Sequence, residues 1–181
     1  MNLPNLITLA RIFAVPLMVW LILEDRLITA FWVFIGAGIS DAVDGFLARQ
    51  LNARTTLGAY MDPLADKALL VSVYVALGYA GYLPDWLVIL VVFRDVMIVG
   101  GAMLVAILNG HVEMRPLMVS KVNTTLQIVL AALVLGNVGF GFGLDLVLTL
   151  IVYTVAATTL VSGIAYVLRL VRQAPGLEDT E

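Results

Sequence analysis

The sequence contains no cysteine, a single histidine (His111), and only 13% charged residues over its 181 positions. Without cysteine there are no disulfides, no thiolate nucleophile and no zinc–thiolate site. A soluble globule carries about 25% charged residues, and this chain falls far below that. What fills the space is apolar, with 62% hydrophobic residues and a mean hydropathy of +1.04. The length leaves room for one domain, and the composition is that of an all-α polytopic membrane protein. MNLPNLITLAR also lacks a basic n-region and a small-residue cleavage site. It is therefore expected to open a first transmembrane helix and not to be a cleaved signal. The expected home is a bacterial cytoplasmic (inner) membrane, with no nucleic-acid partner.

Six apolar runs, at about 5–23, 27–49, 58–82, 86–108, 120–135 and 144–170, each approach the ~20 residues a bilayer requires. Pro16 is expected to kink the first. Polar turns stand at Glu24-Asp25-Arg26 and Leu83-Pro84-Asp85. The stretch GNVGFGFG at 136–143 is expected to be a flexible loop, since it lacks the Lys and Ser/Thr of a phosphate loop. His111 sits in a polar connection without a partner at ligand spacing and reads as a solvated residue. The predicted organisation is a six-helix membrane domain over 1–172 and a polar tail over 173–181. Basic residues set the orientation. Arg49, Arg54, Lys67, Arg115, Lys121, Arg169 and Arg172 flank one side, and Arg26 alone flanks the other. Both termini and the 50–57 connection are thus expected to face the cytoplasm.

Against this background, residues 41–66 (DAVDGFLARQLNARTTLGAYMDPLAD) stand out. An ionised Asp at the middle of a membrane helix costs roughly 2.5–3.5 kcal/mol, so four of them must be compensated. On a helix Asp41, Asp44 and Ala48 share a stripe, with Gly45 and Arg49 beside it. Gly58, Asp62 and Asp66 share a stripe of a second helix. Two helices joined through 50–57 can turn these carboxylates towards each other, making a hard-oxygen site for Mg²⁺ or Mn²⁺. At 1.5 Å per residue, Asp41 lies roughly 13 Å inside the end of its helix. A channel or cation transporter would instead spread its acids over several spans and both faces.

These residues carry a resemblance. Asp41-x2-Asp44-Gly45-x2-Ala48-Arg49-x8-Gly58-x3-Asp62-x3-Asp66 matches the signature of the CDP-alcohol phosphatidyltransferases at all eight fixed positions. A chance match has a probability on the order of 10⁻⁸. The resemblance implies transfer of a phosphatidyl group from CDP-diacylglycerol to an alcohol, with release of CMP. It implies Asp41, Asp44 and Asp62 as metal ligands, Asp66 shared with them, room for two ions, and Asp66 as the general base. Gly45 and Ala48 would let the cytidine approach the helix, although small residues also serve close helix packing. Arg49 would bind the pyrophosphate through two oxygens, and Asp44 and Gly58 belong to the same donor site. Asn5, Thr8 and Arg11 resemble the family's N-terminal signature and would line the nucleotide end of the cavity; interfacial anchoring is the other reading.

Within the family, PNLITLAR, DPLADK (62–67), FRDVMIV (93–99) and SKVNTTLQ (120–127) resemble the CMP-forming cardiolipin synthases. The implied acceptor is phosphatidylglycerol, giving cardiolipin. The alternative is glycerol 3-phosphate, giving phosphatidylglycerophosphate. Arg94, Arg115 and Lys121 are the candidate acceptor-binding cations. For Arg94 an ion pair within the bundle is an equal reading, because Arg94-Asp95 lies in mid-span. For Arg115 and Lys121 the alternative is the positive-inside rule. The resemblance also implies a homodimer.

Overall fold

The computed structural model describes residues 3–50, 56–109 and 118–173, and side chains at 10–40, 65–101 and 118–169. These residues form six helices: α1 (Leu3–Leu23), α2 (Leu27–Gln50), α3 (Thr56–Tyr79), α4 (Asp85–Asn109), α5 (Met118–Phe140) and α6 (Asp145–Gln173). They follow the six apolar runs to within a few residues. An apolar chain satisfies its own N–H and C=O groups most simply as helix. α1 continues through Pro16. Arg54, His111, Arg115 and the tail beyond 173 lie outside the described residues. Two helices, Met118–Phe140 and Asp145–Arg169, are long and apolar enough to cross a membrane among the described residues.

α1 packs on α2 and α3, α2 also on α5, and α3 on α4 and α5; α6 closes the bundle against α4 and α5. The described apolar core gathers at one end of this arrangement. Met18, Leu21 and Ile22 of α1 meet Leu27 and Ala30 of α2, Val73, Tyr74 and Leu77 of α3, and Leu87 and Val91 of α4. Leu130, Val134, Val152 and Val155 complete it from α5 and α6. This is the end of the turns at 24–26, 80–84 and 141–144. The motif aspartates belong to the opposite end of α2 and α3.

Three helices stop in the same way at the core end. A residue with positive φ (Asp25 at 58°, Gly81 at 80°, Gly141 at 70°) follows the last turn. The next N–H then reaches back five residues: Arg26 to Leu21 at 2.8 Å, Tyr82 to Leu77 at 2.8 Å, and Phe142 to Asn137 at 3.3 Å. This closure satisfies carbonyls a helix end would otherwise leave open. Tyr82 then clasps two of the turns together, its Oη donating to Asp25 Oδ1 at 2.6 Å.

The stretch 136–143 differs from the expected flexible loop. α5 runs on to Phe140, so the first half of GNVGFGFG is helical. Its glycines serve close approach. A Cβ on Gly139 would stand 3.1 Å from the Ile28 backbone nitrogen and 3.3 Å from the Leu27 carbonyl carbon, and one on Gly136 would stand 3.3 Å from the Phe31 ring. The start of α2 therefore lies directly against the end of α5. Asn137 closes the turn, its Oδ1 accepting the Leu144 N–H at 2.8 Å.

Two outcomes are expected from this end of the bundle. Gly139→Ala forces backbone atoms apart and is expected to cost about 1–3 kcal/mol. Gly36→Ala meets nothing within 4 Å and is expected to stabilise the helix by about 0.5–1 kcal/mol. Thermal unfolding in detergent orders the two against the parent. The second outcome concerns Tyr82, whose phenol is raised above its ordinary 10.0 by the hydrogen bond to Asp25 first, then by burial and the Asp25 charge. The fold thus favours the neutral phenol. The contribution is complete below the ordinary tyrosine pKa and is lost as pH rises through the raised one. The stability gap between the parent and Tyr82→Phe should therefore be constant at neutral pH and close under strongly alkaline conditions.

Candidate active site

α2 carries Asp41, Asp44, Gly45, Ala48 and Arg49, and α3 carries Gly58, Asp62 and Asp66. The side chains of all of these except Asp66 lie outside the described residues, as do those of Asn5 and Thr8. Among the described residues no group of three or more metal-ligating side chains gathers. Asp66 is therefore the part of the motif whose surroundings are visible. It is ion-paired with Arg11 Nη1 of α1. Arg11 is buried at 5% exposure, so the pair ties the motif end of α3 to α1.

Asp66 and Arg11 line a cavity of about 510 Å³. α2 supplies Phe34, Ile35, Ala37, Gly38 and Ile39 to its wall, α3 adds Lys67, Leu69 and Leu70, and α5 adds Thr124 and Ile128. In α2 these residues run up to Asp41, and in α3 they run on from Asp62. The cavity thus lies immediately on the core side of the motif, apolar on most of its surface, with one carboxylate and two cations in its wall.

Behind Lys67 stands a chain of charges. Lys67 Nζ meets Asp95 Oδ2 at 2.8 Å, and the other carboxylate oxygen of Asp95 takes Arg94 Nη1 at 2.6 Å. Arg94 Nη2 donates to Ser120 Oγ of α5 at 2.6 Å and to Ser162 Oγ of α6. Arg94 and Asp95 are 2% and 4% exposed, whereas the Lys67 side chain is 31% exposed. Both readings of Arg94 drawn from the sequence have to meet this geometry: the guanidinium is committed to Asp95 and two hydroxyls inside the bundle. Lys121 is exposed on α5, one turn before Thr124 of the cavity wall.

Sequence reasoning placed Lys67 among the flanking basic residues and gave Asp95 no role beyond a partner for Arg94. The structure puts Lys67 in the cavity wall and makes Asp95 a bridge between two cations. The available signal was the position of Lys67 directly after Asp66, inside an apolar run, where a lone cation needs an anion. Further into the bundle, Thr158 and Thr159 donate to Asn123 Oδ1 at 2.8 and 2.9 Å. Tyr74 Oη donates to the backbone carbonyl of Gln127 at 3.0 Å.

Two helices bearing the eight signature positions thus stand beside a largely apolar cavity with one carboxylate and two cations in its wall. Residues 1–169 match the CDP-alcohol phosphatidyltransferase family, and the chain belongs to it. It is 36% identical to CDP-diacylglycerol–glycerol-3-phosphate 3-phosphatidyltransferase 1, chloroplastic, of Oryza sativa subsp. japonica, over 92% of this chain and 56% of that protein. It is 33% identical to the CMP-forming cardiolipin synthase of Homo sapiens, over 91% and 60%. It is 31% identical to CDP-diacylglycerol–glycerol-3-phosphate 3-phosphatidyltransferase of Rickettsia typhi, over 91% and 94%. The chain thus spans less than two thirds of the plant and human relatives and nearly all of the bacterial one.

The charge chain generates a stability prediction. Asp95→Leu leaves Arg94 buried without its anion and is expected to cost about 3–5 kcal/mol. Adding Arg94→Met should recover most of that loss, because the uncompensated charge is then gone. Denaturant unfolding of the single and double variants measures both steps.

Proposed function

We propose that the protein is a membrane-embedded phosphatidyltransferase that moves the phosphatidyl group of CDP-diacylglycerol to phosphatidylglycerol, forming cardiolipin and releasing CMP. The observation that carries this reading is the cavity beside the motif, which pairs apolar walls with Asp66, Arg11 and Lys67. A lipid substrate needs both: a greasy surface for acyl chains and fixed charges for its head. The name of the human relative supports this acceptor. A second reading, with glycerol 3-phosphate as acceptor, is supported by the names of the rice and Rickettsia relatives.

In this reading the six helices are six spans. Phe13, Trp32, Phe93, Leu146 and Ile164 are each more than half exposed, as a lipid-facing surface requires. The basic residues then put both termini and the aspartate end on the cytoplasmic side of a bacterial inner membrane, in a homodimer. Asp41, Asp44, Asp62 and Asp66 would hold one or two Mg²⁺ or Mn²⁺ ions, a set composed wholly of oxygen donors and suited to hard cations. When bound, these ions supply charge neutralisation for the pyrophosphate and for the leaving CMP.

The protein's own residues do the rest. Asn5, Thr8, Asp44, Gly45, Ala48, Arg49 and Gly58 form the donor site, with Arg49 on the pyrophosphate. The acceptor hydroxyl attacks the phosphatidyl phosphorus. A P–O bond forms to the acceptor oxygen, the P–O bond to CMP breaks, and the hydroxyl proton passes to Asp66. Arg11, paired with Asp66, holds that carboxylate at the cavity wall. Arg94, Arg115 and Lys121 remain the cations assigned to the acceptor side from the sequence, with Arg94 acting from within its ion-pair chain.

Excess EDTA is expected to abolish turnover, and Asp41→Asn, Asp44→Asn and Asp62→Asn each to nearly do so. Asp66→Asn should lower kcat by about 10²–10⁴-fold while retaining CDP-diacylglycerol binding. Purified protein given CDP-diacylglycerol with either acceptor discriminates the readings. Phosphatidylglycerophosphate from glycerol 3-phosphate, with no cardiolipin from phosphatidylglycerol, would reverse the acceptor assignment.

A further inference from the structure

We infer that Lys67 is the residue that binds the phosphate of the acceptor, and that Asp95 and Arg94 are positioning residues that aim it. The inference rests on the phosphatidyltransferase reading and adds to it the site that receives the acceptor's charge.

Among the described cations, Lys67 combines the two properties an anion-binding group needs here. It stands in the wall of the cavity that holds Asp66, and its side chain is accessible at 31% exposure. Arg94 has neither, being 2% exposed and committed to Asp95, Ser120 and Ser162. An ammonium carries three donors, and Lys67 gives one of them to Asp95. Its remaining donors suit phosphate oxygens.

Position relative to Asp66 selects the acceptor over the donor. In the proposed reaction the pyrophosphate belongs to the aspartate cluster and Arg49, on the far side of Asp66. The hydroxyl that loses its proton must reach Asp66 itself. Phosphatidylglycerol and glycerol 3-phosphate both carry a phosphate one glycerol unit away from that hydroxyl. Adjacent residues on a helix diverge by about 100°, so Asp66 and Lys67 bring a carboxylate and an ammonium to one cavity wall in different directions.

Asp95 explains why Lys67 stays there. A free lysine on a helix swings through many rotamers, and ordering it costs side-chain entropy. Asp95 fixes its Nζ at 2.8 Å. Arg94 fixes Asp95 in turn, and two hydroxyls from α5 and α6 fix Arg94. Four helices therefore set the direction of one ammonium group.

The test is steady-state kinetics on the purified full chain in detergent micelles. CDP-diacylglycerol is held saturating while phosphatidylglycerol or glycerol 3-phosphate is varied, and then the reverse. Whichever acceptor the parent uses identifies the source of the phosphate. Lys67→Met is expected to raise the KM for that acceptor by about 10- to 100-fold, the loss of one charged hydrogen bond. The KM for CDP-diacylglycerol should stay within about threefold, and Lys67→Arg should recover most of the acceptor affinity. Asp95→Asn should shift the same acceptor KM in the same direction, by less. Thermal unfolding accompanies each variant, and Lys67→Gln replaces Lys67→Met if the latter does not fold. An unchanged acceptor KM, a donor KM that rises in step, or a folded Lys67→Met protein with no turnover at any acceptor concentration overturns the inference. A parent protein that turns over neither acceptor refutes the proposed function itself, and the inference falls with it.

Discussion

The ion pair between Arg94 and Asp95 is the contact on which the arrangement of the bundle most depends. Both groups are almost wholly buried, and an uncompensated charge in an apolar interior is expensive. Neighbours on one helix cannot satisfy each other fully, so the pair recruits partners from elsewhere. Asp95 takes Lys67 of α3, and Arg94 takes Ser120 of α5 and Ser162 of α6. Apolar helices slide and rotate against one another at little cost. Directional hydrogen bonds to a buried charge do not permit that, and so they fix the rotation of four helices at once.

The same logic extends along α5. Asn123 Oδ1 accepts from Thr158 and Thr159 of α6, and one turn on the backbone carbonyl of Gln127 accepts from Tyr74 of α3. In an apolar interior such bonds give orientation more than stability, with membrane examples averaging about 0.6 kcal/mol each. Below them the core is close-packed hydrocarbon, locked by the Gly139 approach to α2 and the Tyr82 clasp. The bundle is thus graded from a rigid apolar end to a charged end. The rigid end holds the helices that carry the aspartates, and the charged end contains the cavity. In the proposed function the apolar cavity wall takes the acyl chains and the charged groups direct the attack.

Arg11 has a comparable function at the cavity wall. It reaches Asp66 from α1, a helix that packs on α2 and α3. Its pairing makes the N-terminal helix part of the site and not merely a neighbour of it. Asn5 and Thr8 precede Arg11 on that helix at spacings of three, so the same face of α1 continues towards the nucleotide end in the proposed function.

Sequence alone determined the six helices, the end of the bundle to which the aspartates belong, and the family. All three are local properties. Hydrophobic length and backbone self-satisfaction define a helix, and the motif is a spacing along two neighbouring segments. The glycine-rich stretch departed from its expected loop only in its first half, where Gly136 and Gly139 pack against α2. What the tertiary structure decided is which charges meet: Arg11 with Asp66 across 55 positions, Lys67 with Asp95 across 28, and Arg94 with Ser162 across 68. A helix that is apolar nearly all round carries little record of which face turns inward. The rotation of each helix, and with it the removal of Arg94 from the cavity and the entry of Lys67, emerges only when buried charges from distant segments must find one another.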